Sequence, residues 1–232
     1  MKVLILVLSC LKDPYDKLMK AQQRTWDSVD VPGVETIYYY GEGGGYKELN
    51  HYSKEFGADA RDDLRMAHWK YALTLREVLP LDWDFIFRTN SSSYVNKREL
   101  LKMAEKLPKT GCYYGQDGCH SSWLSASHVC GAGGCKKFAS GCGHFISKDV
   151  AEILAKEIKC DMDNYAKHTP DDVYIGCILN KHGVEVTPGR RRIDYYNTPD
   201  RDVIAYHYRC KKEDNRQGDI DAFDWLFNRM EK

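Results

Sequence analysis

The stretch Asp84-Phe85-Ile86-Phe87-Arg88-Thr89-Asn90-Ser91-Ser92-Ser93-Tyr94-Val95-Asn96 decides the fold. Asp84 to Arg88 reads as a buried strand, and it runs straight into a short polar turn at Asn90-Ser91-Ser92. Val3–Val7 has the same near-continuous apolar character. Such runs fit strands covered on both faces, as in largely parallel sheets. Open sheets of that kind bind ligands beyond the carboxyl ends of their strands. The polar turn therefore marks the side of the sheet where a site belongs. Asp82-Trp83-Asp84 precedes the strand and falls on the wrong side for a metal site.

Outward from this strand the chain alternates. A strand at Lys2 to Ser9 leads to a helix near Tyr15 to Trp26 and a strand at Glu35 to Tyr40. Asp62 to Leu79 carries Leu64, Ala67, Tyr71, Leu73, Leu75 and Val78 at helical spacing and ends at Pro80. A helix from Lys97 to Leu107 stops at Pro108. Then come short strands at Cys112 to Gly115 and Gly143 to Ile146, and helices over Lys148 to Ile158 and Asp171 to His182. Strands at Val184 to Thr187 and Val203 to Tyr208 and an amphipathic helix at Ile220 to Met230 complete the series. Strands alternating with helices predict a layered α/β sheet. With no repeat and no linker, residues 1–232 read as one domain. Gly41-Glu42-Gly43-Gly44-Gly45 is a turn and lacks dinucleotide-binding spacing.

The 34 basic and 34 acidic residues cancel, which argues against a dedicated nucleic-acid or anionic-membrane surface. A 43% hydrophobic content with 16 tyrosines belongs to a globular chain, not a disordered one. Val3–Val7 is as long as a core strand, and no small-residue cleavage site follows it, so it reads as a strand and not a signal peptide. No segment approaches the roughly 20 apolar residues of a membrane span. The expectation is a soluble, cytoplasmic protein of bacterial, viral or host-cell setting.

Nine cysteines include Cys112, Cys119, Cys130, Cys135 and Cys142, with His120, His128 and His144 among them. Free, partly buried thiols, a disulfide in the Cys112–Cys142 region, and a zinc site are the readings. Zinc is disfavoured because no CxxC or HxxxH pair is present.

Four segments carry a resemblance. They are Arg24-Thr25-Trp26, Phe87-Arg88-Thr89-Asn90-Ser91-Ser92-Ser93-Tyr94-Val95-Asn96, Phe138-Ala139-Ser140-Gly141-Cys142-Gly143-His144-Phe145-Ile146-Ser147-Lys148, and Thr169-Pro170-Asp171-Asp172-Val173-Tyr174-Ile175-Gly176. In this order and spacing the chain resembles the beta-1,3-galactosyltransferase and Fringe-like family. The resemblance spans most of the chain, up to His207. It implies a GT-A fold, a mixed and mostly parallel sheet flanked by helices, and inverting transfer of a galactose-like hexose from a UDP-sugar to a glycan hydroxyl. The chain departs from the family at one place. Relatives carry paired metal-binding aspartates where this chain has Asn90-Ser91-Ser92.

The resemblance implies Asp172, with Asp171 second, as the base that takes the acceptor proton. The residues alone also fit a helix start, with Thr169 as N-cap, Pro170 at the first position and an acidic residue in the first turn. Ser9, Arg24, Arg88, Asn90, Ser91 and Ser92 would hold the nucleotide sugar. Gly141, Cys142 and Gly143 would let backbone approach the sugar, since glycine leaves close contact open. His207 is the position at which relatives supply a metal ligand, but a lone histidine among tyrosines reads more readily as a hydrogen-bonded core or surface residue, the more so with Asn90 and Ser92 in place of aspartates. Arg191, within Arg190-Arg191-Arg192, is a candidate diphosphate-binding cation, with Arg201, Arg209, Lys211 and Lys212 nearby. No cofactor is expected to be required, and Mn²⁺ or Mg²⁺ would enter only on the donor diphosphate. Asp161-Met162-Asp163 lies outside the resemblance and is set aside. A catalytically inactive relative that binds glycan or nucleotide sugar without turnover is the alternative function.

Overall fold

The computed structural model describes residues 1–41, 48–50, 52–119, 137–160, 170–189, 193–197, 204–212 and 215–231. Among them, β1 (Val3–Leu8), β2 (Val34–Tyr40), β3 (Glu55–Gly57), β4 (Phe85–Asn90), β6 (Tyr113–Cys119), β7 (Lys137–Ser147) and β8 (Thr187–Pro188) form one sheet in the order β3-β2-β1-β4-β7-β6-β8. β1 pairs in parallel with β2 and β4, and β2 with β3. β7 runs antiparallel to both of its neighbours, β4 and β6, and β6 pairs in parallel with β8. The sheet is mixed and mostly parallel. A small second sheet joins β5 (Ser93–Val95), β10 (His207–Arg209) and β9 (Ile193–Asp194).

The apolar strands β1 and β4 lie side by side, with Val3 against Phe85 and Leu8 against Asn90 at the two ends of the register. Successive residues on a strand face opposite sides, and both sides are filled here. Leu4, Leu6 and Ile86 pack with Tyr71 and Leu75 of α2 (Ala67–Val78), Leu154 of α4 (Lys148–Glu157) and Ile175 of α5 (Asp171–Lys181). Val3, Ile5, Phe85 and Phe87 pack with Leu18 of α1 (Tyr15–Arg24), Leu100 of α3 (Lys97–Ala104) and Phe223 of α6 (Arg216–Met230). Each fully buried side chain of this size contributes roughly 1.5–3 kcal/mol. Continuous apolar strands sandwiched between two helical layers are the result.

Several boundaries differ from the sequence reading, each for a local reason. The Asp62–Leu79 segment begins as a 3₁₀ turn at Leu64–Met66, because Asp63 accepts the Met66 N–H at 3.1 Å and caps it. The last helix starts at Arg216, four residues before the expected Ile220, since Asn215 accepts the Gln217 N–H at 3.0 Å. The late strand shrinks to His207–Arg209 and leaves the main sheet to pair with β5, where the rings of Tyr94 and Tyr208 meet edge-on. β7 reaches back to Lys137 through a glycine-containing stretch that conceals its strand character.

Cys10, Cys112, Cys142, Cys160 and Cys210 are free thiols, as the leading reading of the cysteines has it, while Cys177, which that reading did not single out, is disulfide-bonded. Cys130, Cys135, His120 and His128 lie outside the described residues, as do residues 42–45, Asp161–Asp163 and Thr169. Among the described residues, no helix is long and apolar enough to cross a membrane.

Candidate active site

A cavity of about 510 Å³ opens at the carboxyl edge of the parallel strands. The end of β1 (Leu8, Ser9, Cys10) and the end of β4 with its turn (Asn90, Ser91, Ser92) form one wall. Gly141 and Cys142 of β7 and the start of α5 form another, and Arg209, Lys211 and Arg216 close a third. The topology explains the location. β1 and β4 are neighbours, and antiparallel β7 brings Gly143 beside Thr89. Thr89 Oγ1 donates to the Cys142 carbonyl at 2.7 Å, which ties the two turns together.

Arg88 sits buried beneath this cavity. It ion-pairs with Asp171, donates to the Tyr39 hydroxyl at 3.1 Å and to the Gly141 carbonyl at 3.4 Å, and lies over the Tyr71 ring. Burial alone would pull its pKa down, but the Asp171 carboxylate and the Tyr39 hydroxyl offset that and hold it well above the usual arginine value. Asp172, next in the chain, is half-buried and lines the same cavity. Its Oδ2 accepts the Gly141 N–H at 3.2 Å and its Oδ1 accepts the Val173 N–H at 2.9 Å. Burial raises its pKa, and the neighbouring Asp171 charge adds to the rise. The two aspartates thus differ in kind. Asp171 is committed to a guanidinium, and Asp172 is a carboxylate whose charge is disfavoured at the cavity wall.

Helix α5 begins at Asp171, with Pro170 as its N-cap and no side-chain capping bond, one residue later than the capping reading placed it. Asp172 nonetheless satisfies one first-turn N–H. Its two roles coexist.

The Asn90–Ser92 turn is self-organised. Asn90 Oδ1 accepts the Ser92 N–H at 3.1 Å, a local turn that asparagine favours. Gln22 of α1, fully buried, donates to the carbonyls of Asn90 (3.2 Å) and Ser93 (2.7 Å) from below. Arg216 Nη2 donates to Ser92 Oγ at 2.8 Å. Ser9 Oγ is buried at the cavity without a hydrogen-bond partner. At the opposite end, Asp62 binds three segments at once. It accepts from Lys70 Nζ at 2.9 Å, from the Gly41 N–H at 2.9 Å and from the Leu11 N–H at 3.2 Å. Burial would raise the Asp62 pKa, but the Lys70 charge, with hydrogen bonds from Cys10, Lys70 and the Gly41 N–H, outweighs this and lowers it. Gln22, the Asp62–Lys70 pair and Arg216 escaped sequence reading. Only contacts between segments distant along the chain give these residues a role.

Of the residues expected at the site, Ser9, Arg88, Asn90, Ser91, Ser92, Gly141, Cys142, Asp171 and Asp172 line the cavity together. Arg24 does not. It ion-pairs with Asp224 of α6 on the exposed outer face, with a 2.8 Å bond from Nη2 to Oδ2. Gly143 lies behind the cavity against His207; a Cβ there would come within 2.6 Å of the imidazole. His207 is buried, packs edge-on against Phe87 and shares a 3.0 Å hydrogen bond with Ser93 Oγ. It is the core histidine that the residues alone favoured, set between Phe87 and Gly143 of the main sheet and Ser93 of the second, and it is not among the residues lining the cavity. Arg191 lies outside the described residues.

At the Asn90–Ser92 turn, the divalent cation that the GT-A type implies finds no carboxylate to hold it. Asn90, Ser91 and Ser92 are neutral, and hard cations need carboxylate oxygens. His207 is already engaged with Ser93, and among the described residues no three His, Cys, Asp or Glu side chains converge as a cation site.

No family model matches the chain, and no curated protein does. Among solved structures, the chain is similar to a glycosyltransferase involved in the glycosylation of the major capsid of PBCV-1. The TM-score is 0.57 at 9% identity, over 97% of this chain and 100% of that one. The likeness concerns the fold, and it is the mixed α/β, GT-A type architecture expected from the sequence.

Proposed function

We propose that the protein is an inverting glycosyltransferase that moves a hexose from a UDP-sugar to a glycan hydroxyl. The observation that carries this reading is Asp172, a half-buried carboxylate at the cavity wall, held by the Gly141 N–H beside an Asp171 already committed to Arg88. Inverting transfer needs one carboxylate at the face where the acceptor enters. The acceptor oxygen bonds to the anomeric carbon as the bond from that carbon to the diphosphate oxygen breaks. Asp172 receives the acceptor proton, and the nucleoside diphosphate leaves with the bonding pair. A raised pKa makes Asp172 a better proton acceptor than an exposed carboxylate, since base strength rises with pKa.

Gly141 serves the same geometry. A Cβ there would come within 2.9 Å of Arg88 Nη1, so glycine leaves room for the guanidinium where it pairs with Asp171. Ser9 and the Asn90–Ser92 turn, at the ends of β1 and β4, would receive the nucleotide. A donor-hydrolysis and transfer assay over a panel of UDP-sugars tests the reading. Asp172→Asn should abolish transfer while UDP binding persists, because the base acts on the acceptor and not on the donor. UDP binding without turnover in the wild-type protein would instead favour an inactive binder. Turnover surviving in Asp172→Asn would leave Asp172 only its helix-start role.

A further inference from the structure

We infer that Arg209 and Arg216, with Lys211 beside them, form a diphosphate subsite over the Asn90–Ser92 turn that takes the place of a protein-bound divalent cation. The inference rests on the proposed donor reading and goes beyond it by assigning the groups that bear the leaving-group charge. Arg216 Nη2 lies 2.8 Å from Ser92 Oγ, which fixes a positive charge on the turn where relatives of the resembled family carry aspartates. Arg209 reaches across from β10 and donates to Cys142 Sγ on the facing wall. A thiol is a weak acceptor, so a phosphate oxygen can take over that donor at little cost. Lys70 and Arg88, which also line the cavity, are buried against Asp62 and Asp171, and Arg216 shares its Nη2 with Asp219, so Arg209, whose guanidinium meets a thiol, is the cation with most to offer a phosphate.

Two further observations point to an anion at this place. Ser9 Oγ is buried at the cavity with no partner, a donor waiting for an acceptor. Arg216 is the first residue of the 15-residue helix α6, whose amino terminus adds its own partial positive charge. Asp219 lies 3.0 Å from Arg216 Nη2, while Arg216 Nε is buried without a hydrogen-bond partner, so the fork is not fully occupied. Arginine forks match phosphate oxygens and, when desolvated, neutralise developing negative charge as a cation would.

The experiment is equilibrium binding of uridine, UDP and inorganic pyrophosphate, each in EDTA and in Mn²⁺, to the wild-type protein and to the Arg209→Gln and Arg216→Lys variants. Arg209→Gln removes the thiol contact and one of the two positive charges near Asp219 while Arg216 stays paired with it; Arg216→Lys keeps the charge next to Asp219, and thermal unfolding of both variants checks that they fold. In EDTA, UDP should bind the wild type far more tightly than uridine. Arg209→Gln should weaken UDP and pyrophosphate by about ten- to a hundredfold while leaving uridine within about twofold, as expected for loss of a charged hydrogen bond. Arg216→Lys should lose part of that affinity, because lysine lacks the fork. UDP binding that collapses in EDTA and returns with Mn²⁺ overturns the subsite while leaving the donor reading intact. An unchanged UDP-to-uridine ratio in both variants also overturns it, as does failure of both UDP and pyrophosphate to bind in EDTA. Arg209-dependent pyrophosphate binding without UDP binding supports the subsite and sinks the uridine donor reading.

Discussion

The two ends of the parallel strands use the same residue types to opposite effect. At the amino end, Asp84 accepts the Lys2 N–H at 2.7 Å and meets Lys109 at 3.1 Å, while Lys2 reaches Asp82 across open surface. At the carboxyl end, Asp62 and Lys70 are each only 3% exposed, and Arg88 is 1% exposed against Asp171. Water screens the first set, so its pairs are worth little. The second set has lost that screening, and breaking one partner leaves a buried charge uncompensated. Acidic residues in a D-x-D spacing thus mean nothing by spacing alone. Their place on the sheet decides whether they are surface trim or site.

The largest effect that would break this contrast is at Arg88. Arg88→Met should destabilise the fold by about 3–5 kcal/mol through the stranded Asp171 charge, read by chemical denaturation, and should abolish transfer. A variant of ordinary stability would mean that the carboxyl-edge pair is as weak as the amino-edge one. Next comes Asp172→Asn. A kcat loss of about 10²–10⁴-fold is expected for removal of a general base, with UDP affinity retained.

Acidity sharpens the comparison further, because two groups at the carboxyl edge pull in opposite senses. The folded-state pKa of Asp172 is raised, so the native state binds the extra proton, and its contribution to stability falls as pH rises through that value. Asp172→Asn should flatten this component, and in the wild type transfer should fall as acid protonates the base. His144 behaves in reverse. Burial, with the Arg88 charge adding to it, lowers its pKa to about 3, and its Nδ1 lies 3.2 Å from the Ser140 carbonyl, which requires Nδ1–H as donor. The unfolded chain therefore takes up the proton first, and stability should be lost as pH falls below the ordinary histidine value of about 6.5. His144→Gln should shift the acid-unfolding midpoint to lower pH; an unmoved midpoint would remove His144 from that account. At the small end, Arg24→Ala should cost no more than about 1 kcal/mol, since its pair with Asp224 is half exposed. Lys2→Ala should leave thermal unfolding where it was. A large effect at either position would collapse the distinction between the two edges.

Much of the carboxyl edge was legible in advance because its parts are local. Phe85-Ile86-Phe87 is apolar on both faces, so β4 had to be covered on both sides, and Asn90-Ser91-Ser92 had to emerge at its end. Glycine at 141 and adjacent aspartates at 171 and 172 likewise announce themselves. Arg24 misled because the family resemblance gives a position in the chain and not a direction in space. Arg24 ends α1 on the outer face.

The sequence by itself determined the layering, the central pair of strands and the edge of the sheet where a site could form. Those follow from side-chain chemistry at periods of two and 3.6, which acts over a few residues. The tertiary structure alone decided which charges are paired and which face the cavity. Arg88 meets Asp171 across 83 residues, Gln22 meets Ser93 across 71, and Arg216 meets Ser92 across 124. No local pattern encodes such contacts. They exist because burying the two apolar faces of the sheet fixes where each polar strand end and helix start must lie, and the buried charges left there must find one another or remain costly.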